Sequence, residues 1–140
     1  LDARAVETGV LPNPDKIEFA GRFETRSDLG IDKFCAVNTG ANRFNIGFLA
    51  VFGPESKCEG TGTASVQGDK VEITLNGKGA CTFAARYDGI ELRFAGAVES
   101  GCARYCSERA SLSGTHYFMI EPGDSAARNT LGREIERLCG

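Results

Sequence analysis

The sequence has no tryptophan, one histidine, one methionine and four prolines among its 140 residues. It holds no run approaching the roughly 20 consecutive apolar residues that a membrane-spanning helix needs, so no transmembrane segment is expected in this chain. Neither sign of charge dominates. The formal net charge is −3, which argues against the broad basic footprint of a nucleic-acid binder. Arginines 104, 109, 128, 133 and 137 make the last third locally basic, but glutamates 108, 134 and 136 interleave with them, as on a solvated face. With His116 as the sole histidine, any Ser–His or Cys–His mechanism has a single base to use. The G-x-S-x-G nucleophile elbow is absent. The Gly-rich "EGTGTAS" runs on as a strand pattern and lacks the helix start that a phosphate loop requires. There is no Asn-X-Ser/Thr acceptor site, no low-complexity tract and no internal repeat. The first residue is Leu1, with no signal-like apolar segment after it. The chain is therefore expected to be a processed form whose targeting segment is not included.

What the chain does have is six cysteines and 18 glycines, with 41% hydrophobic and 25% charged residues. The balance is that of one globular domain with a real core, spanning 1–140. An even set of cysteines in a small domain, Cys35, Cys58, Cys81, Cys102, Cys106 and Cys139, points to a disulfide framework and export to the bacterial periplasm or beyond. Six cysteines allow fifteen connectivities. The favoured set is 58–81, 102–106 and 35–139. A β-bulge near Gly77 or Gly79 would bring Cys58 to Cys81. Cys102 and Cys106 can bond to each other only if "CARYC" is a turn, because four extended residues span roughly 13 Å; otherwise each takes a different partner. A zinc reading would use Cys102, Cys106, His116 and Cys81, but the C-x2-C knuckle is missing. No metal and no cofactor is expected.

Alternation with period two runs through 15–120 and marks half-buried strands. "RFNIGFLAVF" places Phe44, Ile46, Phe48, Ala50 and Phe52 on one face. "KCEGTGTASV" aligns small residues, Cys58, Gly60, Gly62, Ala64 and Val66. "IEFAGRFET", "KVEITL", "ACTFAARY" and "IELRFAGAV" alternate likewise. "RASLSGTHYF" puts Leu112, His116 and Phe118 on its apolar face. The Asp-Gly of "YDGI" predicts a two-residue hairpin that sets Tyr87 opposite Ile90 and Phe83 opposite Phe94. Past Pro122 the period changes. Ala127, Leu131, Ile135 and Leu138 predict a helix over 124–139, and residues 1–14 read as an N-terminal arm.

The fold class is thus all-β with one C-terminal helix. It is an antiparallel meander of about seven or eight strands, closed into a small flattened β-barrel, with a two-sheet β-sandwich as the alternative. In shape this is similar to calycin barrels, although the Gly-X-Trp signature of lipocalins is missing. "SGTHY", Ser113 to Tyr117, resembles the Ser-Gly-X-X-Tyr piece of bacterial C-type lysozyme inhibitors. Their second motif, a Lys-Gly segment, is replaced here by "FMIEPGDSAARN". That resemblance implies inhibitory contacts at Ser113 and Tyr117. The leading expectation is a non-enzymatic exported barrel that binds a small apolar ligand or a protein. The candidate contacts are Ser113, His116, Tyr117, Phe118 and Phe94. The alternatives are a periplasmic or envelope-attached inhibitor of a lysozyme-like hydrolase, and a hydrolase using His116.

Overall fold

A computed structural model describes residues 19–53, 56–107, 110–131 and 137–139. The strands are β1 (Gly21–Ser27), β2 (Gly30–Gly40), β3 (Arg43–Gly53), β4 (Ser56–Gln67), β5 (Lys70–Leu75), β6 (Cys81–Tyr87), β7 (Glu91–Phe94) and β8 (His116–Pro122). Each pairs antiparallel with its sequence neighbour, and β8 pairs back with β1, so the sheet is a closed eight-stranded barrel. Closure leaves no edge strand to recruit a second chain. No described helix is long and apolar enough to cross a membrane. The 1–14 arm lies outside the described residues.

Alternation drives the barrel. On β6 every other residue is buried, from Cys81 to Tyr87. Inward side chains fill the interior with rings. Phe34, Phe94 and Tyr117 are enclosed and pack edge-on or tilted, with centroids 5.1–6.1 Å apart. At one end Phe19 closes the barrel, 5.0 Å from Phe44 and 5.3 Å from Tyr87. Large residues face small ones: Phe48 stands opposite Gly60, and a Cβ on Gly60 would run into the rings of Tyr105 and Phe48. Such complementarity is how interiors reach crystal-like density.

The β2 strand is an addition to the seven runs read from sequence. Its Phe34, Cys35, Ala36 and Val37 are all buried. Phe34 and Ala36 point into the barrel core, while Cys35 and Val37 pack outward with Leu49, Ala127 and Leu138. A strand covered on both faces loses its alternation.

The C-terminal helix is much shorter than the periodicity predicts. It is α1 (Asp124–Arg128), ending at Asn129. Leu131 and Arg137 then form an isolated antiparallel bridge, and the Leu138 amide donates to the Thr130 carbonyl at 3.0 Å. Ile135 lies outside the described residues. Asp124 fixes the start of α1 by accepting the Asn38 amide at 2.9 Å. Tertiary anchoring to β2 therefore outweighs helix propensity in a segment that also contains Gly132.

The β6–β7 turn is longer than the two-residue hairpin expected. Tyr87 pairs with Leu92 and Ala85 with Phe94, a shift of two residues that keeps the same faces inward. The cause is Asp88, whose Oδ1 accepts the amides of Ile90 and Glu91 at 2.9 and 2.8 Å. These bonds hold its carboxyl below the usual value and build an Asx turn.

The disulfides are Cys35–Cys139, as expected, with Cys58–Cys106 and Cys81–Cys102 in place of 58–81 and 102–106. Cys81 pairs across with Leu75, which stands opposite Gly62 on β4. Cys58 lies four residues further along β4, roughly 13 Å beyond that row. Between β7 and β8 the chain leaves the barrel at Ala95 and returns at Gly114, whose amide donates to the Ala95 carbonyl at 2.8 Å. This excursion holds a 3₁₀ helix (Ser100–Tyr105). Cys102 lies within it and Cys106 just past its end in extended backbone, and the two bond to separate strands. The cap so formed closes the second barrel end. Leu112 is buried beneath it, and the Tyr105 hydroxyl donates to the Gly79 carbonyl at 2.5 Å.

Candidate partner-binding face

Five residues of the β7–β8 region carried the functional expectation, and the fold separates them. Phe94 and Tyr117 belong to the interior. Phe94 packs against Phe34, Phe48, Phe83 and Tyr117. The Tyr117 hydroxyl donates to Thr115 Oγ1 at 3.0 Å, and burial pushes its phenol above the ordinary value. Tyr117 offers no surface contact, and Phe94 meets the surface only in the lining of a groove beside β7. Ser113 is half-buried in the turn before β8, its hydroxyl 2.8 Å from that of Ser111.

His116 and Phe118 lie on the outer face, opposite to the inward face that alternation from Leu112 predicts. The reason is local. Gly114 takes φ +72°, a left-handed turn that glycine adopts freely. Strand pairing restarts at His116, so the parity flips and Tyr117 takes the inward place.

On this outer face His116 stands across from Arg93, and Phe118 across from Glu91 on β7 and Glu24 on β1. Glu91 Oε2 lies 2.9 Å from Arg93 Nη2 and 3.4 Å from His116 Nδ1. The 3.4 Å contact lacks hydrogen-bond geometry, and Nδ1 is a buried atom without such a partner. The Phe118 ring sits 5.5 Å from the imidazole. Beyond it the pairing with β1 slips between Arg22 and Phe23, leaving Ile120 as the extra residue of a bulge. Bulges bend a strand and re-aim its side chains. Phe118 and Ile120 remain 38% and 51% exposed, and Ile90, in the β6–β7 turn beside them, 67%. The Ile90 carbonyl accepts the Met119 amide at 2.8 Å, which ties that turn to β8. Three of the six large apolar side chains left exposed among the described residues thus gather here.

Sequence reading named His116 and Phe118 as contacts but not Ile90, Arg93 or Ile120. The continuing alternation of Phe118 and Ile120 was a usable signal for the last of these. All six cysteines are paired, so no thiolate remains for a metal or a nucleophile. Among the described residues no hydroxyl is hydrogen-bonded to the imidazole. No protein-family model, curated protein or solved structure matches this chain, and its functional reading rests on the geometry above.

Proposed function

We propose that this protein is an exported, non-enzymatic binding module that engages a protein partner through the outer face of β8. The observation that carries this reading is the exposed pair Phe118 and Ile120, on a strand whose inward neighbours fill the barrel. Single exposed apolar residues are ordinary, but a cluster rimmed by charge is how interaction sites present themselves. An apolar ligand inside the barrel would have to displace rings that already pack against one another, which favours the protein form of the expectation. The Glu91–His116 pair lacks a bonded nucleophile, which favours binding over hydrolysis. Three disulfides are consistent with an oxidising compartment.

The test is a photo-crosslinking residue placed at 118 and, as control, at Phe52, which is exposed on β3. A discrete adduct from position 118, absent from 52 and lost on Ile120→Glu, is expected. Adducts of equal yield from both positions overturn the reading. A C-type lysozyme is the first partner to assay; unchanged lysozyme activity removes the inhibitor form of the proposal.

A further inference from the structure

Where β7 ends early, the outer surface carries a groove of about 500 Å³. β7 has only four residues, and the chain turns away at Ala95. The groove floor is set by Ala84, Ala95 and Gly96, and every charged residue lining it is a cation: Lys70, Arg86 and Arg93. These three stand in one cross-strand row, Lys70 opposite Arg86 and Arg86 opposite Arg93. Like charges placed directly opposite work against sheet pairing. Asp69 and Glu91 each hold one arginine at 2.9 Å, but neither lines the groove. Glu72 on β5 stands directly opposite Ala84 and also stays out of the lining.

We propose that this groove binds a single-chain anionic amphiphile, a long-chain carboxylate, with its tail on Ala84, Ala95 and Gly96 and its head group between Arg86 and Arg93. Arginine is suited to such a head because its fork matches a carboxylate bidentately. The volume lies in the range of small-ligand sites. A peptide is a poorer occupant. The backbone here is already engaged, with Ala84 and Ala85 paired to β5 and the Ala84 carbonyl accepting the Ala95 amide at 2.9 Å. Strand addition would have to displace that bond, whereas an acyl chain needs no backbone partner. Phe118 and Ile120 take no part, and Arg93, across from His116, borders both this groove and the partner face.

Laurate below its micellar concentration, decanol and phosphatidylglycerol vesicles are titrated separately into the full chain, with backbone amide shifts as readout. Saturable shifts at Ala84, Ala95 and Gly96 with laurate are expected. The double variant Arg86→Gln/Arg93→Gln weakens laurate by about tenfold or more and leaves decanol within about twofold. Arg86→Lys, which keeps the charge but loses the fork, falls between the wild type and the double variant. Equal affinity of the wild type for laurate and decanol overturns the proposal, as do laurate shifts confined to other residues. Binding to anionic vesicles without binding of monomeric laurate also overturns it, because the occupant is then a membrane surface.

Discussion

Two flanks of the same barrel are built in different ways. On the β2–β3 flank the sheet is buried from both sides. Cys35, Val37 and Leu49 point outward yet lie beneath Ala127 and Leu138, and Cys35–Cys139 ties the C-terminal segment down over them. On the β6–β8 flank nothing described covers the outer face, and Arg86, Arg93, Phe118 and Ile120 meet solvent. The covered flank spends its outer face on stability. The bare flank leaves its outer side chains in water, and the partner and ligand proposals both rest on them.

The largest expected effect comes from uncovering the first flank. Cys35→Ser with Cys139→Ser opens a link between residues 104 apart in sequence. Loss of a staple of that span lowers stability by about 2–5 kcal/mol. Urea unfolding reads it, and hydrogen exchange should localise the new opening to Val37 and Leu49. Leu49→Ala follows, at about 2–4 kcal/mol for a buried leucine. Its counterpart on the bare flank, Ile120→Ala, should stay within about 0.5 kcal/mol while abolishing the position-118 adduct. If Ile120→Ala destabilises as much as Leu49→Ala, the two flanks are not different in kind.

The same contrast decides what the sequence could reveal. Period-two alternation is a signature of strands wet on one face, and the bare flank shows it plainly in "ACTFAARY". It vanishes in β2, where "FCAV" is buried throughout. The remaining signal was a four-residue apolar run between Gly30 and Gly40, which fits a fully buried strand. Face assignment at His116 failed for another reason. One left-handed glycine, Gly114, shifts parity by a residue, and a one-residue slip exchanges the two faces of a strand. Cys35–Cys139 was one of the pairings that pinning the C-terminal segment to the sheet allowed, with Cys102 or Cys106 as the other partners open to Cys139. The other two pairs depend on an excursion that carries both cysteines of "CARYC" to strands far apart in sequence, and spacing alone does not encode that.

Glycines sharpen the comparison at smaller scale. A Cβ at Gly47, on β3, would overlap the Leu138 carbonyl oxygen, whereas one at Gly96 meets nothing within 4 Å. Gly47→Ala should cost about 1–3 kcal/mol, the usual range for overpacking, because the obstacle is backbone and cannot rotate away. Gly96→Ala should be neutral to slightly stabilising, since it restricts the unfolded chain without a clash. Thermal midpoints of the two variants separate these outcomes; equal midpoints would mean that the C-terminal segment lifts off β3 readily.

The smallest effects are electrostatic, and they run in opposite directions on the two flanks. Asp32, on β2, accepts the Val51 amide at 2.8 Å, but burial outweighs that bond and raises its carboxyl above the ordinary 3.8. A raised folded value favours the protonated form. Its stabilisation is full below 3.8 and is lost as pH rises through the folded value. Asp88, in the β6–β7 turn, is lowered by the Glu91 and Ile90 amides. Its contribution is present above 3.8 and is lost as pH falls through the folded value. Asp32→Asn should therefore gain stability relative to wild type as pH rises from 3 to 7, because the amide keeps an acceptor for Val51 and carries no charge to desolvate. Asp88→Asn should lose relative to wild type over the same range. Urea midpoints at pH 3, 5 and 7 measure both slopes. Slopes of the same sign would mean that burial does not outweigh the Val51 bond at Asp32, or that the amide bonds do not dominate at Asp88.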